Sequence, residues 1–416
     1  MELHQLSAIF RTLWKPLLAL LVVALLISWI WNFINQGTLK LTVAPDQATV
    51  FVGRSSFNVS GTSEHKLGPG SYLVLVKKDG YLDYETTVKI KSREETKLTV
   101  NLVKNPVELA SFARIPALSL DGESLVLLGA DARIYRISSG GGGLESLSEP
   151  IFSDPTYLSW SPDRSRLLVT MSNNKAQLQQ SKSPFYAASD PNFAEVTWIY
   201  ELTSQKISKI VTNATSVSWS GDGQTIFYVL GGLSPALYQA NLNGTSVSKI
   251  IDLGSDRVIL KPSPNGNHLA WYERPEGYGQ NDIYLVNLAT KTQEKLTSTG
   301  YSVGANWSSD SQLILVDKVN PQGEETTLMV IGVSDRSVRE ITGGGGAENS
   351  VWSSDSRNTY SFDQVGKSIV KVNVLDENVS KIAKLNLRSP TNFLVDKDEK
   401  NLYFTANETL YRLGLK

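Results

Sequence analysis

Cysteine is absent from the 416 residues, and histidine occurs only three times. The first absence excludes a disulfide scaffold, a thiolate metal site, a cysteine nucleophile and a lipid-bearing N-terminal cysteine. The core must therefore come from packing alone. The second absence leaves little acid–base or metal chemistry. His4, His65 and His268 stand far apart in the chain, with no H-E-x-x-H spacing and no G-x-S-x-G elbow; His268 reads as a structural residue at the start of a strand. A charge excess is also missing: 40 basic residues face 41 acidic ones, a formal net charge of -1. Nucleic acid needs a concentrated basic surface, so it is not an expected partner. The runs Gly140–Gly143 and Gly343–Gly346 neither precede Lys-Ser/Thr nor open a helix, so they read as flexible turns rather than phosphate cradles. No cofactor, metal or catalytic residue is expected.

What is present begins with an apolar run. Leu17 to Ile34 reads LLALLVVALLISWIWNFI, with no charge and only Ser28 and Asn32 polar. Eighteen helical residues span about 27 Å, close to the hydrocarbon thickness of a bilayer. Trp14 stands before the run and Trp29, Trp31 and Phe33 near its end, at the depth where amphipathic rings settle. Arg11 and Lys15 precede it, and the next basic residue is Lys40. The positive-inside rule then makes 1–16 cytoplasmic, 17–36 a transmembrane anchor in the lipid bilayer, and the remainder extracytoplasmic. A cleaved signal peptide fits less well, because bulky SWIWNFINQ offers no small-x-small site. The expected location is the cell membrane, crossed once.

Residues 38–104 alternate between apolar and polar. LKLTVA, ATVFVG, SYLVLVKK, YETTVKIK and KLTVNL are separated by Pro45-Asp46, Gly68-Pro69-Gly70 and Asp79-Gly80. Period-two runs between turn signals predict a small β-sandwich with one buried face per sheet. Four pieces, Ala44-Pro45, Ala48 to Gly53, Leu67 to Tyr72, and Lys78-Asp79-Gly80-Tyr81, make this segment resemble the PEGA domain family. The resemblance implies an extracytoplasmic accessory domain associated with envelope components. Gly80 and Tyr81 also have a plain structural role, a turn and the ring packed behind it.

From residue 107 onward a short unit recurs. Trp160-Ser-Pro-Asp163, Trp219-Ser-Gly-Asp222, Trp307-Ser-Ser-Asp310 and Trp352-Ser-Ser-Asp355 are its strongest copies; weaker ones end at Asp121, Asn265 and Asp398. Each is followed by an apolar strand, as in RLLVTM, TIFYVL and QLILVD. Spacings between Asp or Asn at 121, 163, 222, 265, 310, 355 and 398 are 42, 59, 43, 45, 45 and 43 residues. A period in the low forties with four short strands per unit predicts propeller blades. The long interval holds polar stretch 172–195, which reads as an inserted loop. Each Trp should pack between blades, and each Ser-x-Asp should form a tight turn in which Asp bonds back to following amides.

The unit resembles the TolB-type propeller repeat, W-S-P-D-G followed by an apolar strand, over most of 107–416. The expected fold is all-β: a PEGA-like sandwich at 38–104 and a seven-bladed propeller at 107–416, behind one N-terminal transmembrane helix. Val107–Ala113 has no blade of its own and is expected to complete the last one, removing an open sheet edge.

The resemblance implies a binding platform, and the lack of catalytic motifs makes an enzyme the less expected reading. Uniform Ser-x-Asp turns occupy one end of the blades, while the irregular connections 172–195, 273–281, 317–326 and 343–350 gather at the other. Loops on a rigid scaffold carry binding, which makes Phe185, Tyr186, Tyr278 and Tyr301 candidate contacts to an envelope protein or glycan. A second reading stays open, in which paired carboxylates on that face hydrolyse an envelope polymer.

Overall fold

The computed structural model describes residues 35–150, 155–172, 195–273, 281–319, 326–341 and 344–415, with residues 18, 20–23 and 26 ahead of them. Most of 17–36 thus lies outside the described residues, and among those described no helix is long and apolar enough to cross a membrane. The chain divides into two compact units, Met1–Asn105 and Pro106–Lys416. Residues 18, 20–23 and 26 are helical and Ala347–Asn349 forms a short 3-10 turn; the other regular elements among the described residues of both units are β-strands.

In the first unit, a three-stranded sheet faces a four-stranded one. Gly37–Ala44 is central in the first, antiparallel to Thr62–Leu67 and parallel to Glu95–Asn101. The second joins Ser55–Val59, Ala48–Val52, Gly70–Lys77 and Tyr84–Ile90. Alternate residues of each strand turn inward: Leu39, Leu41, Val43, Val50, Val74 and Val76 form a core with almost no exposure. Two strands escaped the sequence reading. SSFNV and TSEHKL carry mostly exposed polar side chains because they lie at sheet edges, where little of the strand needs burying. Gly80 takes φ 79°, and Tyr81 packs against the core behind it, as the turn-and-ring reading expects.

In the second unit the described strands form seven four-stranded sheets, each a simple antiparallel meander except the last. We number them as blades 1–7. Their innermost strands are Ala113–Leu118, Tyr157–Trp160, Ala214–Trp219, Val258–Pro262, Ser302–Trp307, Val351–Trp352 and Thr391–Val395. The extra length in the 59-residue interval falls between the second and third strands of blade 2, Arg166–Ser172 and Glu195–Glu201. Blade 7 takes its outer strand from the start of the unit: Val107–Ala110 pairs antiparallel with Thr409–Gly414, with Arg412 opposite Val107. Arg114 and Glu408 pair at 2.8 Å beside that seam.

The second strands read as unbroken apolar runs because both faces are buried. In blade 2, Leu167 and Val169 pack towards blade 1, while the intervening Leu168 packs towards blade 3. Phe227 and Val229 of blade 3 likewise face blade 4, with Ile226 and Tyr228 on the opposite side. A strand between two neighbours has no solvent face, so alternation disappears.

Candidate functional site

The Trp of the repeat ties each innermost strand to the one before it. The indole N–H groups of Trp160, Trp219, Trp307 and Trp352 donate to the carbonyls of Ile115, Ser159, Lys261 and Asn306 at 2.8, 3.1, 2.7 and 3.2 Å. Each acceptor lies on the innermost strand of the preceding blade, so these bonds fix the wall around the propeller axis.

The turn after each Trp is held internally. In blade 3, Ser220 Oγ donates to Asp222 Oδ1 at 2.6 Å; that oxygen accepts the Gln224 N–H at 3.0 Å, and Ser220 Oγ accepts the Thr225 N–H at 3.0 Å. The Ser–Asx bond and Asx–amide bond recur at 119–123, 161–165, 263–267, 308–312 and 353–357. Blade 7 differs from expectation. There Asp396 Oδ1 accepts the N–H groups of Lys400 and Asn401 at 2.7 and 3.1 Å, taking the place of the serine, while Asp398 reaches Lys400 Nζ at 3.0 Å. The Ser220 hydroxyl and the Gln224 amide hold Asp222 below the ordinary carboxylate range. Asp222→Ala is expected to cost about 1 kcal/mol in urea unfolding, and Asp222→Asn less, since Asn265 already fills this role in blade 4.

A cavity of about 550 Å³ lies along the axis, walled by the innermost strands of blades 2 to 5 and by Glu348. Glu348 sits in the 3-10 turn Ala347–Asn349 that leads into the short innermost strand of blade 6. It accepts a hydrogen bond from the buried Tyr272 phenol and pairs with Lys261 Nζ at 3.1 Å. Burial opposes its ionisation, but the Lys261 charge and the bonds from Tyr272 and Lys261 outweigh it and hold Glu348 below its usual range.

Three neighbours hold the loop that delivers Glu348. Asn306 Nδ2 donates to the carbonyls of Ala347 and Ser350 at 3.0 and 2.6 Å. The Gly345 N–H donates to Ser361 Oγ at 2.9 Å, and the Ala347 N–H is 2.9 Å from both oxygens of buried Asp317. A Cβ on Gly345 would lie 2.6 Å from the Phe362 carbonyl, and one on Gly346 would lie 3.1 Å from Asp317 Oδ2. The described part of this glycine run is therefore close-packed, not the flexible turn its composition suggests. Gly142 and Gly143, by contrast, have positive φ, and a Cβ on either would meet nothing within 4 Å, although one on Gly141 would lie 3.1 Å from Leu109 Cδ2. Burial, reinforced by the nearby Glu348 charge and opposed by the Ala347 amide, pushes Asp317 up to about 7.

Of the aromatic candidates, Phe185, Tyr186 and Tyr278 lie outside the described residues. Tyr301 bridges to Asn281 just before the innermost strand of blade 5; its carbonyl accepts the Val319 N–H at 2.8 Å, and it does not line the cavity. His268 belongs to a repeat turn, where its N–H donates to Ser263 Oγ at 2.9 Å; burial and the Arg336 charge lower its pKa. His65 stacks on Phe57 at 3.6 Å. Among the described residues no group of three or more His, Asp or Glu side chains could hold a metal ion.

The sequence reading missed the channel side chains Tyr157, Ser159, Ser216, Ser218, Lys261 and Asn306. Their signal is positional. Ser159, Ser218 and Asn306 immediately precede the repeat Trp, Lys261 precedes its substitute Pro262, and Tyr157 and Ser216 stand two residues earlier still. In a strand these positions share the face opposite the Trp.

Ring-wise meanders of this kind, the last closed by the first strand, define a β-propeller. Residues 36–106, ahead of it, match the PEGA domain family. No curated protein sequence matches the chain. Among solved structures, an oligogalacturonate lyase in complex with manganese aligns with 74% of this chain and 90% of its own, at TM-score 0.54 and 11% identity. The oligogalacturonate lyase of Vibrio parahaemolyticus aligns with 74% of this chain and 91% of its own, at TM-score 0.53 and 10% identity. TolB from Acinetobacter baumannii aligns with 76% of this chain and 79% of its own, at TM-score 0.39 and 12% identity. At these identities the likeness to the two lyases is one of fold.

Proposed function

We propose that the protein is a non-enzymatic binding or scaffold protein of the cell envelope. In this reading residues 17–36 hold it in the cell membrane, the first sixteen residues stay in the cytoplasm, and the propeller stands outside. Its irregular loops, with Phe185, Tyr186, Tyr278 and Tyr301, contact an envelope protein or glycan. The observation that supports it most is the difference between the two ends of the blades. One end repeats the same internally bonded Ser-x-Asp turn, whereas the other carries connections of uneven length and aromatic content, as binding loops on a rigid scaffold do.

One observation favours the hydrolase alternative: Asp317 and Glu348 flank Gly304, and their pKa values are pushed in opposite directions, the pattern of an acid paired with a base. The binding reading is better supported. Asp317 is spent on the Ala347 amide, and among the described residues Glu348 is the one acid lining the cavity, whereas glycoside hydrolysis takes two carboxylates facing the bond.

The test incubates the full-length protein with purified envelope polymer and follows both retention and new reducing ends. Retention without cleavage is expected, and Tyr186→Ala with Tyr278→Ala should weaken it about thirtyfold, the loss of ~2 kcal/mol typical of buried interface anchors. Cleavage that disappears in Glu348→Gln would replace the binding reading with the hydrolase one. Protease added to intact cells should degrade the propeller; full protection would remove the proposed topology.

A further inference from the structure

We propose that the axial channel is itself a binding site, for a neutral polyhydroxylated ligand of the size of a short saccharide, with Tyr157 as the ring against which it stacks. This deepens the reading of the propeller as a binding platform and rests on it, but assigns the contact to the channel wall rather than to the loops.

Three observations carry the inference. The first is charge. Among the described residues, the charged side chains lining the cavity are Lys261 and Glu348, 3.1 Å apart and paired with each other. A charged ligand would have to compete with that pair for one of its members, at a cost softened by their part exposure, 34% and 45%. A neutral ligand leaves it intact and uses its remaining hydrogen-bonding capacity.

The second is the pattern of polar groups. Ser159 and Ser218 occupy equivalent positions on adjacent blades, with Ser216 two residues before Ser218 and Asn306 farther round the ring. Hydroxyls donate and accept, and Asn306, whose amino group is held by the Ala347 and Ser350 carbonyls, adds a fixed side-chain carbonyl. Ligand hydroxyls lose water on entering such a channel and need replacement partners; this wall supplies them at several heights. An apolar ligand would strand the same groups.

The third is Tyr157. Protein surrounds it, yet 37% of its surface stays accessible because it faces the cavity. Burial raises its pKa, so the phenol remains neutral, and Ser159 and Ser218 line the same wall. An aromatic side chain offers a rigid apolar face with a polar tip at low entropic cost. The cavity volume of about 550 Å³ falls within the ~300–1,000 Å³ of small-molecule sites.

The experiment titrates the full-length protein in detergent with cellobiose, chitobiose and mannobiose, and with digalacturonate as the charged comparator. Calorimetry follows binding and thermal unfolding follows the fold. At least one neutral disaccharide is expected to bind one-to-one, more tightly than digalacturonate. Tyr157→Ala should weaken it about tenfold or more with an unchanged melting transition. Ser216→Leu, which narrows the channel from another blade, should do the same and serves if Tyr157→Ala does not fold. The inference is overturned if no neutral disaccharide binds at about 10 mM, where even a millimolar site is mostly filled. It is equally overturned if digalacturonate binds better, or if both folded variants bind as the parent does. Loss of the titration with polymer retention intact removes the channel site alone. Retention lost in Tyr186→Ala/Tyr278→Ala with the titration intact shows the two surfaces acting separately.

Discussion

Trp307→Ala is expected to destabilise the propeller by about 3–5 kcal/mol, the usual cost of truncating a buried Trp. The side chain is 8% exposed and fills the space between blades 4 and 5, against Ala270, Tyr272 and Leu285 on one side and Ile314 on the other. Two losses combine. A cavity opens between the sheets, and the Lys261 carbonyl gives up an indole donor at 2.7 Å. Trp307→Phe separates them, since it keeps most of the apolar contact and removes only the donor; a loss near ~1 kcal/mol is expected there. Urea unfolding followed by circular dichroism reads both. Equal effects from the two variants would mean that the hydrogen bond, not packing, joins these blades.

The second large effect is a dependence of stability on pH carried by Asp317. Burial first, and then the Glu348 charge, raise this carboxyl from 3.8 to about 7 in the folded protein. An acid with a raised folded pKa binds its proton more tightly in the native state, so its contribution is complete below the unfolded pKa and is lost as pH rises through the folded one. The window runs from about pH 4 to about pH 7, and a shift of that size corresponds to roughly 4 kcal/mol at most. Asp317→Asn keeps an oxygen for the Ala347 amide and cannot ionise. It should flatten the pH dependence in this window and be more stable than the parent at about pH 8. Glu348 and the turn aspartates, whose pKa values are lowered, act in the opposite sense and below that window, as pH falls through their folded values. If the parent and Asp317→Asn show the same slope between about pH 4 and about pH 7, Asp317 is ionised in the folded state and its desolvation is smaller than its burial suggests.

The repeat was legible because one residue does the same work many times. Trp160, Trp219, Trp307 and Trp352 make the same bond to the preceding blade, and the turn after each needs a short oxygen acceptor at the same offset. Physical requirement and sequence period therefore coincide. The expected pairing of Val107 with the final strand follows from the same economy, since an unpaired strand at each end would leave two open edges. Strands at the edges of the first unit were harder. SSFNV and TSEHKL bury few side chains, so burial imposed little alternation on them. In blade 7, Asp396 replaces the serine, and a carboxylate two residues later disguised the substitution.

The channel was illegible for a different reason. Its side chains come from several blades, one or two from each, and no stretch of sequence brings them together. Ser159, Ser218 and Asn306 look like ordinary strand residues until the Trp beside them sets which way they point. The glycine run misled in the opposite direction. Composition suggested freedom, but Gly345 and Gly346 are small because Phe362 and Asp317 lie against them.

The seam in blade 7 also sets an order of events. Arg114 and Glu408, which meet beside it, are separated by 294 residues of chain. At ordinary rates of synthesis, on the order of tens of seconds pass between making one and making the other. Throughout that interval the strand Val107–Ala110 has no partner, and blades 1 to 6 can only stack as an open arc. The ring becomes a ring in a single late step, when Thr409–Gly414 arrives. Until then Val107–Ala110 stays an unpaired strand, which gives a folding helper something to hold.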